Sequence, residues 1–309
     1  MELQTAWIDR GQSLEIGEDF NRLDTMGLIA LSRAASTSVT APLVSFWIVL
    51  RGTADIEARE GRFHLRTGDW IALERDSRPS LDCDRSALVI GLVQSSTLQA
   101  SLQQSMRFNL HIGRGRVAGR ELRRYLRLWW ESGHFPRNKR SHAEVEVKQI
   151  ARLLRHVDAT QAGLSELVDQ CPGRSLRRKR QVFGRMQRAL LYLEGNTDRP
   201  VRISELAELS NVSIWYFTKT FHALYGEGPQ ATASRFRLQH ACDLLSSTRL
   251  SVSEVGAACG FENNCSFSRA FRARFGAPPS SYRTSRGTLA PDSANSCDML
   301  GKAVAAAGP

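Results

Sequence analysis

Short segments rich in β-branched and aromatic residues dominate the first third of the chain. They are separated by turn residues such as Gly52, Gly61 and the pair Gly68-Asp69. The pattern predicts strands over residues 45–50, 54–58, 62–65, 70–73 and 87–93. The N-terminal part is therefore predicted to be all-β.

After the strands, the hydrophobic period becomes helical. Apolar residues recur at steps of three and four, as one face of a helix requires. They fall into two groups, and the sequence predicts a helix for each: Leu122, Leu126 and Trp129, then Val147, Ile150, Leu153, Leu154 and Val157.

The last third contains one two-helix unit twice, over residues 203–229 and 252–279. An offset of 50 places Phe217 on Phe267, Phe221 on Phe271 and Pro229 on Pro279. In each copy a small apolar helix is followed by a sharp turn and a longer helix. This order predicts two helix-turn-helix units.

Local rules place the boundaries of each copy. Ser204 and Ser253 are the expected N-caps of the first helices, because a hydroxyl can accept a hydrogen bond from a free helix N–H. The turns are expected at Ser210-Asn211 and Cys259-Gly260, since Asn and Gly tolerate a left-handed backbone. A bridging helix is expected over residues 231–245.

The longer helix of each unit has an apolar face, and polar and basic residues lie opposite it. Lys and Arg can contact phosphates or guanine edges, and hydroxyls can reach either. These faces predict contacts to a major groove, and ordinary solvated surfaces are the alternative. The candidate DNA contacts from face geometry are Trp215, Thr218, Lys219, His222, Cys265, Ser268, Arg269 and Arg272.

Charge favours DNA over other partners. Residues 177–286 hold 17 Lys and Arg against 8 Asp and Glu, a net +9 of the +11 of the whole chain. Such a segment gains affinity by releasing counterions from DNA. The run from Arg177 to Arg180 is predicted to be a basic linker that either touches phosphates or is simply solvated.

Residues 182–286 resemble the DNA-binding domain of the AraC/XylS family of bacterial transcription regulators. The resemblance rests on the stretch from Gly260-Phe261 through Phe267-Ser268-Arg269-Ala270-Phe271 to Pro279 and Tyr282, and on the bridging segment 237–245. It adds Asn264 to the expected base contacts. It further implies promoter DNA and RNA polymerase as partners, a homodimer formed through the helical middle, a small-molecule effector, and activation as the usual output.

The predicted strands resemble the cupin-like sensor half of the same regulators. Metal-binding cupins need clustered His ligands, and His64 is the single His in these strands, so no metal and no cofactor is expected. The candidate effector contacts are also candidates for plain core: Phe46, Ile48, His64 and Trp70.

The predicted fold class is α+β multidomain. The parts are a cupin-like β-barrel over 1–110, a helical dimerisation segment over 111–170, a basic linker over 171–181, an all-α domain with two helix-turn-helix units over 182–286, and a disordered tail over 287–309. The six Cys form no CxxC pair, and the first residues do not resemble a signal peptide, which favours a cytoplasmic, nucleoid-associated protein.

The expected function is that of a sequence-specific transcription regulator without enzymatic activity. A regulator that acts without a ligand is the main alternative. A cupin enzyme or a DNA alkylation-repair protein with an AraC-like domain is disfavoured. The first lacks clustered metal ligands, and the second lacks a Cys cluster, because Cys83 is the one Cys before Cys171.

Overall fold

A computed structural model describes residues 2–20, 25–133 and 143–285, and the chain divides into two compact units after Asp169. The first unit contains eleven described strands: β1 (Glu2–Ile8), β2 (Ser13–Ile16), β3 (Thr25–Ser32), β4 (Ser36–Val39), β5 (Leu43–Arg51), β6 (Thr53–Ala58), β7 (Gly61–Arg66), β8 (Asp69–Leu73), β9 (Ser80–Cys83), β10 (Leu88–Ser95) and β11 (Gly113–Arg116).

The helices of both units follow in chain order. They are α1 (Ser96–Met106), α2 (Gly119–Gly133), α3 (Ala143–Thr160), α4 (Ala162–Gln170), α5 (Leu176–Gly195), α6 (Ile203–Leu209), α7 (Ile214–Tyr225), α8 (Pro229–Ser247), α9 (Val252–Ala258), α10 (Asn264–Phe275) and α11 (Pro279–Ser285). The α+β multidomain class is confirmed. The predicted tail over 287–309 lies outside the described residues.

The strands form two sheets. One has the order β1-β3-β10-β5-β8-β11, and the other has the order β2-β4-β9-β6-β7. Strands β1 and β3 pair in parallel, as do β2 and β4, and the other ladders are antiparallel. Among the described strands no ladder joins the two sheets, so the cupin-like half is a pair of open sheets and not one closed barrel.

The central strands of the larger sheet are buried on both faces. Every residue of β3, and every residue of β5 before Arg51, is buried. On one face, Phe46 stacks on Tyr125 of α2 with ring centroids 6.4 Å apart. On the other, Arg114 of β11 reaches the ring of Phe63 in the second sheet, 6.0 Å from its centroid. Cover on both faces explains the continuous apolar runs of these strands.

Three of the four candidate effector residues lie in this packing. Phe46, Ile48 and Trp70 are almost fully buried, and the rings of Phe46 and Trp70 stack with centroids 5.6 Å apart. Because alternate strand residues share a face, all three lie on the side that Tyr125 covers. Their part in effector binding stays a prediction.

His64 does not line the interior, which corrects the prediction from sequence. In β7 the buried residues are Phe63 and Leu65, so the alternation turns His64 outward. Its side chain is 49% exposed, and its Nδ1 lies 2.7 Å from Oδ1 of Asp55 on the neighbouring strand.

The basic run 177–180 lies in helix α5, where a linker was expected. Ser175 caps this helix by accepting a hydrogen bond from the N–H of Arg178. Arginine is a good helix former, and the following Val182, Phe183 and Met186 bury one face of the helix. The predicted linker over 171–181 is therefore helical from Leu176 onward.

Gly91 marks the tightest packing in the first unit. A Cβ at this position would lie 2.0 Å from the indole ring of Trp47 on the neighbouring strand. Trp47 is fully buried, so its ring has no room to move aside.

We expect Gly91→Ala to lower the free energy of unfolding of the first unit by about 1–3 kcal/mol, the usual cost of overpacking a core. Urea unfolding of the whole chain, followed by tryptophan fluorescence, measures this. Gly119→Ala is the matched control, because its Cβ would meet nothing within 4 Å. Equal midpoints for the two variants would contradict the prediction.

Candidate nucleic-acid interface

Each predicted helix-turn-helix unit is present. In the first unit, α6 and α7 are joined by a turn in which Asn211 has a φ of 48°. In the second unit, α9 and α10 are joined by a turn in which Gly260 has a φ of 69°. Both turns are the ones predicted from sequence. The bridging helix is α8, slightly longer than expected.

The expected N-caps of the first helices are wrong by two residues. Helix α9 is capped by Ser251, which forms a capping box with Glu254, so Ser253 lies inside the helix. Helix α6 begins after Arg202, which makes no capping bond with its side chain, and Ser204 is again inside. A Ser at the second helical position resembles a cap in sequence, because the capping hydroxyl and this one lie within one turn.

The longer helices, α7 and α10, begin and end in the same way. Ser213 accepts a hydrogen bond from the N–H of Tyr216, and Asn263 accepts one from the N–H of Ser266. Gly226 and Gly276 end the helices. Both helices are therefore held at their two ends by local interactions, independently of any ligand.

Aromatic side chains anchor the inner faces of α7 and α10. Phe217 and Phe221 are fully buried, with ring centroids 5.4 Å apart, and Phe221 packs edge-on against Tyr225. In the second unit Phe267 and Phe271 are fully buried with centroids 5.7 Å apart. The predicted apolar faces are confirmed, and they fix which residues point away from the core.

The residues opposite these aromatic rings are largely exposed. Thr218 and Ser268 are half-buried, and the other seven candidates are exposed: Trp215, Lys219, His222, Asn264, Cys265, Arg269 and Arg272. In α7, Trp215 is 69% exposed, and Nζ of Lys219 lies 4.9 Å from the centroid of its ring. This cation–π contact places a positive charge beside a large apolar surface.

Sequence reasoning missed several residues around these helices. Ile214, the first residue of α7, is 53% exposed beside Trp215. Arg185 and Arg188 of α5 donate to the carbonyl groups of Asn211 and Leu209, at 3.3 and 3.5 Å. Their spacing of three along a helix gives one shared face, but a sequence does not show that this face meets the turn.

Across the described part of the chain, no group of three or more His, Cys, Asp or Glu is placed to hold a metal ion. Burial raises the pKa of the thiols of Cys83, Cys171 and Cys259 to about 12, so these Cys stay protonated. Of the helices described, none combines the length and apolar character needed to cross a membrane.

Comparisons with known proteins agree with this geometry. The profile of a family described as "Helix-turn-helix domain" matches residues 206–285. The HTH-type transcriptional regulator CdhR of Pseudomonas aeruginosa is 39% identical over 111 residues, 36% of this chain and 31% of the relative. The MmsAB operon regulatory protein of the same organism is 28% identical over 139 residues, 45% of each protein.

A crystal structure from Chromobacterium violaceum, described as a transcriptional regulator with an AraC-type DNA-binding domain, is 27% identical. It covers 34% of this chain and 95% of that one, with a TM-score of 0.33. Residues 206–285 therefore form a helix-turn-helix domain similar to those of AraC-type regulators. The chain spans less than half of the length of the two Pseudomonas relatives, and all of these matches cover less than half of this chain.

Burial of His240 is expected to make the stability of the C-terminal unit depend on pH. His240 lies half-buried on α8, and burial lowers its pKa, against the opposing effect of Asp243 and Asp198. Folding therefore favours neutral His240, and the unfolded chain binds more protons once the pH falls below about 6.5. The contribution of neutral His240 to the free energy of unfolding is complete above that pH. It decreases as the pH falls toward the pKa that His240 has in the folded protein.

We expect the unfolding midpoint of the C-terminal unit to decrease between pH 7.5 and 5.5, and His240→Gln to reduce this decrease. Urea titrations at the two pH values, followed by circular dichroism, measure it. The exposed His222→Gln should leave the decrease unchanged. The interpretation fails when both variants show the same pH dependence as the wild type.

Proposed function

We propose that the protein is a sequence-specific transcription regulator that inserts α7 and α10 into successive segments of a DNA major groove. The observation that carries the proposal is the repeated arrangement of an exposed, partly basic helix face over a buried aromatic face. Each face projects from a helix that is capped at both ends. The two Pseudomonas relatives are regulatory proteins, which supports the same function.

The two faces offer similar chemistry at equivalent positions. Lys219 and Arg269 are 50 residues apart, and both lie opposite the aromatic core and are exposed. Arg269 can form two parallel hydrogen bonds to a guanine, whereas Lys219 is a less directional donor. Trp215 can pack against a thymine methyl or a sugar. Cys265 is a weaker donor than the residues around it.

In this proposal the N-terminal unit controls the DNA-binding unit. A small-molecule effector that prefers one arrangement of a homodimer would change the relative placement of the two DNA-binding domains, with RNA polymerase as the partner at the promoter. Helices α2 and α3 are the proposed dimer contact. Trp130 on α2 is 61% exposed, and a large apolar side chain at the surface supports a contact with a partner there.

A thermal-shift screen of metabolites against the whole chain tests the sensing role. A regulator without an effector would show no stabilising compound, and a bound effector raises the unfolding temperature in proportion to its affinity and concentration. Sedimentation of the purified protein over a range of concentrations tests the homodimer.

Arg269→Ala distinguishes sequence recognition from general attraction to DNA. We expect it to weaken binding to the preferred duplex by about 1–3 kcal/mol and to relax the preference at one base pair. A phosphate contact would instead weaken all duplexes alike and lower the slope of log affinity against log salt by about one.

The measurement is a titration of wild type and Arg269→Ala on the preferred duplex and on a scrambled one, at two salt concentrations. Arg178→Ala removes the same charge from the exposed start of α5 and serves as the control. Equal losses on both duplexes would show that Arg269 does not contact a base.

A further inference from the structure

The first helices of the two repeats carry a glutamate at the same position but use it differently. Glu205 is the third residue of α6 and Glu254 is the third residue of α9. Glu254 accepts a hydrogen bond from the N–H of its own N-cap Ser251 and closes a capping box. Glu205 likewise accepts a backbone hydrogen bond from its own N-cap, Arg202, but Arg202 offers no hydroxyl to complete a capping box.

Glu205 also binds two residues outside its helix, Arg199 and Tyr192. Nη2 and Nη1 of Arg199 donate to its two carboxylate oxygens, at 2.6 and 3.1 Å. The hydroxyl of Tyr192, on α5, donates to Oε1 of Glu205 and accepts a hydrogen bond from Arg199 at 2.7 Å. The guanidinium also lies over the ring of Tyr192, 5.7 Å from its centroid.

In the cluster of Tyr192, Arg199 and Glu205, the last two are charged at neutral pH, whereas burial raises the pKa of Tyr192 and keeps it neutral. The Arg199 guanidinium, followed by the Tyr192 hydroxyl, lowers the pKa of Glu205 to about 2 against the effect of burial. A bidentate pair of this kind fixes both distance and orientation. The loop over residues 196–201, between α5 and α6, is therefore held at Arg199 to the first helix-turn-helix unit.

The same loop touches the second helix-turn-helix unit. A Cβ at Gly260, in the turn of that unit, would lie 2.8 Å from Cα of Arg199 and 2.9 Å from the carbonyl oxygen of Asp198. The two backbones are thus in direct contact, and a side chain at Gly260 would separate them. The left-handed φ of 69° at Gly260 further requires a glycine there.

The bridging helix α8 holds the other side of this turn. Nη1 of Arg237 donates to the carbonyl oxygen of Gly260 at 3.1 Å, and its guanidinium lies over the ring of Phe261, 4.5 Å from the centroid. The turn of the second unit is therefore clamped between α8 and the loop that Arg199 anchors. A change in either contact would tilt the second unit against the first.

We propose that the cluster of Tyr192, Arg199 and Glu205 is a positioning device that fixes the second helix-turn-helix unit relative to the first. It thereby sets the spacing that the protein accepts between two half-sites, which are the DNA segments contacted by α7 and by α10 of one chain. The inference rests on the proposed contact of α7 and α10 with DNA. Arg199 acts here through the backbone of its loop, without touching DNA.

The spacing between half-sites gives a readout that a purely structural role would not change. One inserted or deleted base pair rotates one half-site by about 34° and shifts it by about 3.4 Å relative to the other. A protein whose two helix-turn-helix units are rigidly fixed loses affinity for such duplexes. A protein in which the contact between these units is loosened tolerates them. The probes are a duplex enriched by the full-length wild type from a random library and its derivatives with one base pair added or removed between the half-sites.

We expect Glu205→Gln and Arg199→Ala to reduce the ratio of affinities for native and altered spacing by about threefold to tenfold, in line with coupling energies in contact networks. Arg199→Lys keeps the charge but loses the bidentate geometry, so it should fall between them and the wild type. Glu254→Gln is the matched control. It removes the same charge at the equivalent position of the second unit, and its ratio should stay at the wild-type value.

Two results would overturn the inference while leaving DNA binding intact. In one, Glu205→Gln lowers affinity for all spacings by the same factor, as simple destabilisation would. In the other, the enriched duplex contains one half-site and shows no dependence on spacing. Failure of the wild type to enrich any sequence would instead count against the proposed function itself.

Discussion

The geometry of the C-terminal unit depends on one buried helix, α8. Its first half buries Thr232 and Phe236, and its second half contributes Leu238, Ala241, Cys242 and Leu245 to the core of the second unit. A helix of 19 residues is about 28 Å long, close to the roughly 34 Å of one DNA turn. Because this helix is packed at both of its halves, the fold itself sets the separation between the two helix-turn-helix units. The buried aromatic side chains of α7 and α10 then fix these two helices within their units.

The residues that stabilise α7 and α10 are different from the residues on the outer faces of these helices. The stability of α7 and α10 comes from their caps and from phenylalanines that are fully buried. The residues opposite, such as Lys219 and Arg269, are exposed and contribute little to the core. Substitutions there should leave the domain folded, because surface changes away from packing usually cost within about 0.5 kcal/mol. Under the proposed function, they would change the preferred DNA sequence.

The sequence was sufficient where local chemistry and burial agree. The repeated Phe pattern, the turns at Asn211 and Gly260, and strands β5 to β8 and β10 follow from periodicity and turn residues. Strand β3 was missed, although β5 is equally buried, because Gly27 and Ala30 dilute its β-forming residues. Strand β11, with the sequence GRGR, contains no strand-forming residue, and Gly115 is there because Trp70 of the neighbouring strand fills the space of a side chain.

His64 was misplaced since an aromatic ring in a strand does not reveal which face it occupies. The partners of Glu205 could not be predicted either, because a capping box and an ion pair use the same residue at the same helix position.

The two helix-turn-helix units are therefore similar in the chemistry of their exposed faces and different in the bonds that hold their first helices. The second is capped within itself by Ser251 and Glu254, so the start of α9 is held by local bonds. The first uses its glutamate to hold a loop that presses on the turn of the second. The glutamate bonds to its own N-cap in both copies, and in the first copy it gains an ion pair with Arg199 as well. Under the proposal made above, this added ion pair links the two units, because the backbone of Arg199 lies against the turn at Gly260.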